Sequence, residues 1–216
     1  MKKGCFITME GVDGSGKTTQ LQLTARYLLD RGYEVVTTRE PGGTKLAERI
    51  RNVVLDADAA VNPRTEVLLY LAARAEHVEK VIRPALEAGK IVLCDRFDDS
   101  TMVYQGFVRG IETDKVKDLC KFAADNVQPE LTILLDAAPE ALLQRRADRG
   151  VQDRFEQEGL DFQKKVRDGF LLLANAEPAR VKKVHALQPA EAVQAEIRKI
   201  LVDAGFWKPD SNKLKF

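Results

Sequence analysis

A segment close to the N-terminus has the composition and spacing of a phosphate-binding loop. Residues 11–18 are Gly-Val-Asp-Gly-Ser-Gly-Lys-Thr, which fits G-x-x-x-x-G-K-[ST] without a mismatch. Glycines let several backbone N–H groups converge on one anion, and the N-terminus of a following helix adds partial positive charge. Lys17 can reach the β- and γ-phosphates of a nucleotide, and the Thr18 hydroxyl can ligate Mg²⁺. The motif therefore predicts a nucleoside triphosphate site, and a glycine-rich turn without a ligand is the alternative interpretation.

An acid and a base follow an apolar run that is typical of a buried strand. Asp95 and Arg96 come directly after Ile-Val-Leu-Cys at 91–94. In open α/β sheets the carboxyl ends of the strands face the ligand crevice. Asp95 could hold Mg²⁺ through water, and the planar guanidinium of Arg96 could bind a phosphate. A simple ion pair at the strand end is the alternative.

An arginine-rich segment lies further along the chain. Residues 144–154 carry four arginines, at positions 145, 146, 149 and 154, and Gly159 follows. This composition suits a mobile flap that closes over the reactants and supplies positive charge to a transition state. A solvated, charged helix end is the alternative.

Tyr70 and Arg74 stand four residues apart in a helical pattern, so they share one face of the predicted helix. An aromatic ring beside a guanidinium suits a flat heterocyclic base, with stacking from one and hydrogen bonds from the other. An ordinary packing contact is the alternative. His77 and His185 form no cluster with cysteine or acidic residues at metal-ligand spacing, so we interpret both as structural.

A regular alternation of strands and helices has to position these residues. Short apolar, β-branched runs predict strands at 6–9, 34–38, 91–94, 131–135 and 181–187. Helical patterns occupy 18–31, 44–55, 62–88, 113–125, 139–149, 160–176 and 189–201. Asn62 and Pro63 form an N-terminal helix signal, and Pro84 should kink or end that helix early. The alternation predicts an α/β fold with a parallel sheet covered by helices on both faces.

Composition narrows the class of protein. The 216 residues include 34 Lys and Arg against 33 Asp and Glu, and 44% are hydrophobic. Such a chain can bury a core, and its formal net charge of +1 disfavours a bulk-electrostatic nucleic-acid binder. The three cysteines have no CxxC spacing, and no apolar run approaches about 20 residues. We therefore expect a cytoplasmic protein that binds neither nucleic acid nor a membrane.

Two classes of phosphate-loop protein compete at this point. A GTPase switch needs a guanine-reading Asn/Thr-Lys-x-Asp, but Thr44-Lys45 and Asn212-Lys213 are not followed by aspartate at the required position. A small-molecule kinase needs a second anion site and a cover that excludes water, because hydrolysis competes with transfer. The chain offers candidates for both of these features.

Taken together and in order, the motifs resemble those of thymidylate kinases. The matching segments are 10–19, Arg-Glu-Pro-Gly-Gly-Thr at 39–44, 70–74, 95–97, 100–106 and Asp-Arg-Phe-Glu at 153–156. The resemblance extends to about Leu201 and implies an adenylate-kinase-like, three-layer α/β/α P-loop NTPase fold with a five-stranded parallel sheet. It implies one kinase domain over 1–206 with a lid at about 145–159, and a C-terminal tail at 207–216. It also implies a homodimer that transfers a phosphoryl group from ATP-Mg²⁺ to dTMP, giving dTDP for dTTP synthesis.

The resemblance further implies roles for individual residues. The ATP-binding residues would be Gly11, Val12, Asp13, Gly14, Ser15, Gly16, Lys17, Thr18 and Thr19. The dTMP-binding residues would be Asp13, Arg39, Pro41, Arg51, Tyr70, Arg74, Arg96, Ser100, Thr101, Tyr104 and Gln105. Thr18 and Asp95 would hold Mg²⁺. The catalytic residues would be Lys17, Arg96, Arg149 and Arg154.

Four positions distinguish this chain within that resemblance. Gly14 stands where some members carry a loop arginine, so the lid arginines resemble the bacterial-type arrangement. Tyr70 replaces a common phenylalanine, Val103 a common alanine, and Phe170 a frequent tyrosine. Two alternatives stay open: a kinase for another nucleoside monophosphate, and a nucleotide-binding switch protein without an acceptor.

Overall fold

The computed structural model describes residues 4–56, 61–143, 154–155 and 158–205. Most of the predicted lid, including Arg149, lies outside the described residues, as does the predicted tail at 207–216. Within the described part of the chain, no helix has both the length and the apolar character needed to cross a membrane.

Five parallel strands form one sheet in the described residues, in the order β2-β3-β1-β4-β5. Their bounds are Cys5–Glu10 (β1), Val35–Arg39 (β2), Ile91–Asp95 (β3), Leu131–Asp136 (β4) and Val181–His185 (β5). The central strands β1, β3 and β4 are almost wholly buried, which explains why their sequences are continuous apolar runs. The predicted five-stranded parallel sheet is confirmed, and every strand ends within two residues of its predicted bounds.

Helices follow each strand in turn. They are Lys17–Leu29 (α1), Lys45–Leu55 (α2), Pro63–His77 (α3), Arg83–Glu87 (α4), Asp98–Thr101 (α5), Thr113–Ala123 (α6), Leu160–Ala176 (α7) and Ala190–Asp203 (α8). Two segments are π-helical, Val78–Ile82 and Met102–Val108, and Pro139–Leu142 is a 3₁₀ turn. Of the helix predicted at 139–149, only this turn and Leu143 lie within the described residues.

Alternate residues of the central strands pack on opposite faces of the sheet. Phe6 and Val92 join one buried cluster together with Ile82. Their neighbours Ile7 and Leu93 belong to the cluster on the other face. Both faces are therefore covered by helices, which confirms the three-layer arrangement.

The helix predicted at 62–88 begins as expected. The Asn62 side chain accepts a hydrogen bond from the Arg64 N–H at 2.9 Å, and Pro63 occupies the first helical position. The α-helix ends at His77, and the chain continues through the π-helical turn into α4, which contains Pro84. Since proline lacks an N–H and its ring crowds the carbonyl four residues earlier, a wider turn before it relieves the conflict.

A helical segment at 98–108 was not predicted. It consists of the short helix α5 and the π-helical residues Met102–Val108. Its buried residues include the polar side chains of Asp99, Thr101 and Gln105. The segment lacks an apolar stripe of helical period, because it turns polar groups inward, and this is why periodicity did not reveal it.

Candidate active site

A cavity of about 610 Å³ opens at the carboxyl ends of the central strands. In the parallel sheet, Met9 of β1 and Arg39 of β2 are both paired with Asp95 of β3. The carboxyl ends of these three strands therefore lie side by side at the same edge of the sheet. The predicted residues that line the cavity are Asp13, Gly14, Gly16, Lys17, Thr18, Arg39, Pro41, Arg51, Tyr70, Arg74, Asp95, Arg96, Ser100, Thr101, Tyr104 and Gln105. The sheet therefore brings together residues that are almost a hundred positions apart in sequence.

The loop between β1 and α1 depends on its glycines. Gly11, Gly14 and Gly16 have φ values of 137°, 87° and 96°, which L side chains rarely adopt. A β-carbon at Gly11 would lie 2.5 Å from the Leu135 carbonyl oxygen. Within the described residues, the buried Ser15 hydroxyl makes no hydrogen bond. The loop thus has the conformation of an anion cradle, although Gly11, Val12 and Ser15, which were predicted to bind ATP, are not among the residues that line the cavity.

Lys17 lies inside this loop. Its Nζ donates to the Gly11 and Val12 carbonyls at 3.0 and 3.1 Å and stands 4.0 Å from an Asp13 carboxylate oxygen. Burial and the nearby Arg96 lower the pKa of Lys17 from 10.5 to about 8. An arriving phosphate would compete with the two carbonyls for this ammonium group and would favour its charged form.

Thr18 and Asp95 converge on one point from two elements. The Thr18 hydroxyl, in the first turn of α1, donates to Asp95 Oδ2 at the end of β3 at 2.8 Å. Thr19, the next residue, is exposed on the same turn. Hydroxyl and carboxylate oxygens are ligands that Mg²⁺ prefers, usually beside substrate phosphates. This donor set fits a magnesium ion bound with a nucleotide.

Arg96 has an uncommon backbone conformation at the centre of the cavity. Its φ is 71°, in the left-handed region, which costs a non-glycine residue about 1–3 kcal/mol. Its guanidinium donates to Asp13 Oδ1 at 2.6 Å and to Ser100 Oγ at 3.1 Å. The left-handed turn therefore aims the side chain back across the phosphate-binding loop.

Glu10 supports the turn at Arg96. One carboxylate oxygen accepts from the Phe97 N–H at 2.7 Å, and the other accepts from the Ser100 hydroxyl at 2.6 Å. The side chain is fully buried. Burial and the nearby Asp99 raise the pKa of Glu10 to about 8.

Arg74 lies in the floor at the other end of the cavity and is only 1% exposed. It donates to Glu40 Oε2 at 2.8 Å, to Thr101 Oγ1 at 2.9 Å and to Cys120 Sγ at 3.4 Å. These three bonds use three of the five guanidinium N–H donors. Tyr70, one turn earlier on α3, also lines the cavity, as the four-residue spacing predicts.

Two further arginines stand closer to the mouth of the cavity. Arg39 is 52% exposed and donates to Glu48 Oε2 at 2.7 Å. Arg51, on α2, donates to the Pro41 carbonyl at 2.9 Å. The segment between β2 and α2 thus holds two cations within reach of the cavity.

Arg154, one of the lid residues that the structure describes, lies against α2 and α3. Arg154 Nη2 is 2.7 Å from Glu66 Oε2, and Arg154 Nε donates to the Val54 carbonyl at 3.1 Å. Arg154 is not among the residues that line the cavity, whereas Phe155 is. The Phe155 ring stands edge-on to Tyr104, with centroids 5.5 Å apart. Phe155 therefore forms part of the cavity wall. The contacts of Arg154 with Glu66 and Val54 hold this segment in place from outside the cavity.

The sequence matches the model of one protein family over most of its length. The thymidylate kinase model matches residues 9–197. The chain belongs to the thymidylate kinase family. The thymidylate kinase of Symbiobacterium thermophilum is 49% identical over 91% of this chain and 92% of that protein. The thymidylate kinase of Geotalea uraniireducens is 47% identical over 90% of this chain and 94% of that protein.

A solved thymidylate kinase has the same fold. The crystal structure of the enzyme from Ehrlichia chaffeensis matches this chain with a TM-score of 0.75 at 38% identity, covering 92% of this chain and 99% of that one. The predicted P-loop NTPase fold class is therefore confirmed, as is the resemblance on which it rested.

Three buried acids that support this thymidylate kinase site were not among the predicted site residues. Glu10, Glu40 and Glu66 are 0%, 5% and 0% exposed. Glu40 accepts from Arg74 and lies 3.0 Å from His77 Nδ1, while the other ring nitrogen of His77 is 2.6 Å from Thr38 Oγ1. The sequence did contain a signal for these three residues, because an acidic side chain within a buried apolar pattern needs buried partners. The partners themselves are distant in sequence and could not be read from spacing.

Proposed function

We propose that this thymidylate kinase transfers the γ-phosphoryl group of ATP to dTMP and forms dTDP for dTTP synthesis. One observation carries the proposal: a single cavity joins the phosphate-binding loop to a pocket with an aromatic ring and a buried guanidinium, Tyr70 and Arg74. A nucleotide-binding switch needs only the first of these two features. A phosphotransferase needs both, because donor and acceptor must meet in line.

At the donor end, residues 11–19 would bind the ATP phosphates through backbone N–H groups and Lys17. Thr18 and Asp95 would hold Mg²⁺, and their 2.8 Å contact supports this assignment. The metal ion would neutralise phosphate charge as the phosphoryl group transfers.

At the acceptor end, we assign the base to one group of side chains and the phosphate to another. Tyr70 would stack on thymine, and Arg74 and Gln105 would hydrogen-bond its edge, with Ser100, Thr101 and Tyr104 completing the pocket. Arg39, Arg51 and Arg96 would surround the dTMP phosphate, beside Pro41. Asp13, which already accepts from Arg96, would lie near the sugar 3′-hydroxyl.

The reaction needs no general base. The second pKa of a phosphomonoester is about 6, so the acceptor is already ionised at neutral pH. Catalysis then consists of aligning two mutually repelling anions and neutralising the charge that spreads in the transition state. Lys17 and Arg96 supply part of this charge, and Arg149 and Arg154 supply the rest from the lid. For Arg154, this role requires its ion pair with Glu66 to open when the nucleotides bind.

We also propose that the enzyme is a cytoplasmic homodimer acting on free nucleotides. Exposed apolar side chains on neighbouring helices support dimerisation: Leu46 and Val53 on α2 are 49% and 54% exposed, and Leu68 on α3 is 54% exposed. Sedimentation velocity at micromolar concentration should give about twice the mass of the chain. A monomer would overturn this assignment.

The function is tested with a panel of acceptors. ATP is supplied with dTMP, dUMP, dCMP, AMP or thymidine, and nucleoside diphosphate formation is followed. We expect dTMP to give the highest kcat/KM. A preference for thymidine would contradict the phosphate roles of Arg51 and Arg96. Slow ATP hydrolysis that no acceptor stimulates would instead indicate a switch protein.

A further inference from the structure

We propose that Glu66 is a positioning residue that sets which end of the Gln105 amide faces the base, and so makes the acceptor site select a thymine-type over a cytosine-type base. This inference rests on the proposed function and deepens it.

The contact that carries the proposal joins α3 to the π-helical segment. Glu66 Oε1 accepts a hydrogen bond from Gln105 Nε2 at 2.8 Å, and both side chains are at least 98% buried. A carboxylate only accepts hydrogen bonds, so the N–H₂ end of the amide has to face it. The carbonyl oxygen occupies the other branch of the amide. Because Gln105 also lines the cavity, the proposal places this oxygen there as a hydrogen-bond acceptor.

Two cations hold the Glu66 carboxylate in place. Arg154 Nη2 lies 2.7 Å from Oε2, and Arg109 Nε lies 3.6 Å from Oε1. A buried carboxylate without such partners would be strongly destabilising. The two carboxylate oxygens of Glu66 therefore have separate partners: Oε1 accepts from Gln105, and Oε2 faces Arg154 of the lid. When Arg154 leaves Glu66, Arg109 remains as its charge partner.

The hydrogen-bonding edges of the pyrimidines explain the selectivity. Thymine carries an N–H donor at N3 between two carbonyl acceptors, whereas cytosine carries an unprotonated N3 beside an amino donor. Arg74 can only donate, and Gln105 held by Glu66 accepts. With Arg74 donating to the oxygen on C4 and Gln105 accepting from N3–H, thymine complements both groups. In the same pose cytosine presents its amino group to Arg74 and its unprotonated N3 to the Gln105 oxygen, which leaves buried polar atoms without partners.

The test compares kcat/KM for dTMP and dCMP in the wild type, Glu66→Gln, Gln105→Ala and the double variant. In Glu66→Gln, the neutral amide can offer either end to Gln105, so Gln105 can turn its N–H₂ group to the base. We expect the dTMP:dCMP ratio to fall at least about tenfold. In the Gln105→Ala background, the same change at Glu66 should leave the ratio unaltered. Because this ratio does not depend on the amount of active enzyme, partial unfolding does not imitate the effect.

Two further variants complete the design. Glu66→Asp keeps the negative charge for Arg109 and Arg154 but withdraws the oxygen from Gln105, so the ratio should fall here as well. Asp161→Asn removes an acid that is 95% exposed on α7 and should leave the ratio unchanged.

The proposal is wrong if Glu66→Gln and Glu66→Asp both keep the wild-type ratio. It is equally wrong if Glu66→Gln lowers the ratio as much without Gln105 as with it. In either case, dTMP phosphorylation by the wild type would leave the proposed function intact. Failure of the wild type to phosphorylate dTMP would remove the function itself.

Discussion

Lys17 combines burial with a proposed role that needs its charge. Its pKa is lowered to about 8 by burial and by Arg96, while bound phosphates would favour the ammonium form. We therefore expect ATP binding at about pH 8.5 to take up a proton, and ATP affinity to fall as the pH rises further. Calorimetric titration in two buffers of different ionisation enthalpy measures the uptake. Identical enthalpies in both buffers would contradict it, and Lys17→Met is the control that cannot take up this proton.

Glu10 gives the folded chain a second pH dependence. Its pKa rises from 4.5 to about 8 on folding, because of burial and Asp99. Between these values the folded chain holds a proton that the unfolded chain has released, so stability falls as the pH rises through this window. We expect Tm to decline from about pH 5 to about pH 8 in the wild type and to decline less in Glu10→Gln. Parallel profiles in a thermal scan would rule this contribution out.

In the proposed mechanism the lid contributes to catalysis as an element, through arginines that act when it closes. Arg149→Ala and Arg154→Ala should each lower kcat by about a hundredfold, with a smaller change in the KM for dTMP, because their charge is needed mainly in the transition state. Steady-state kinetics with both substrates varied separate the two parameters. Lys164→Ala, on the exposed side of α7, should match the wild type. A rise in KM alone for both arginine variants would refute the assignment.

Most of the architecture was predictable from local patterns, and the exceptions have physical causes. The central strands are continuous apolar runs, and the loop at 11–18 has a fixed glycine spacing, so both can be identified within a few residues of sequence. The contact between Glu66 and Gln105 spans 39 positions, and that between Arg154 and Val54 spans 100. No local pattern encodes such pairs, because they exist only once the sheet has placed the helices.

The whole molecule is nearly neutral, with a formal net charge of +1. Within the described part of the chain, five cations line the cavity, Lys17, Arg39, Arg51, Arg74 and Arg96, together with four acids, Asp13, Glu40, Glu48 and Asp95. Cations in a cleft attract anionic substrates, and salt weakens this attraction most where the cations are exposed, as Arg39 is. We expect the KM for dTMP to rise on the order of several-fold between about 0.05 and 0.5 M NaCl, with less change in kcat. A KM that salt does not alter would show that buried contacts alone set the affinity.

The π-helical segment Met102–Val108 has a consequence for how the lining of the cavity can vary among related chains. A π-helical turn accommodates about one residue more than an α-helical turn, so it can arise from an α-helix by a single insertion. Each residue of an α-helix turns the chain by about 100°. Deleting one residue between Thr101 and Tyr104 would therefore rotate Tyr104 and Gln105 away from the cavity together. Substitutions can adjust this pocket gradually, whereas a change in length would exchange its whole lining at once.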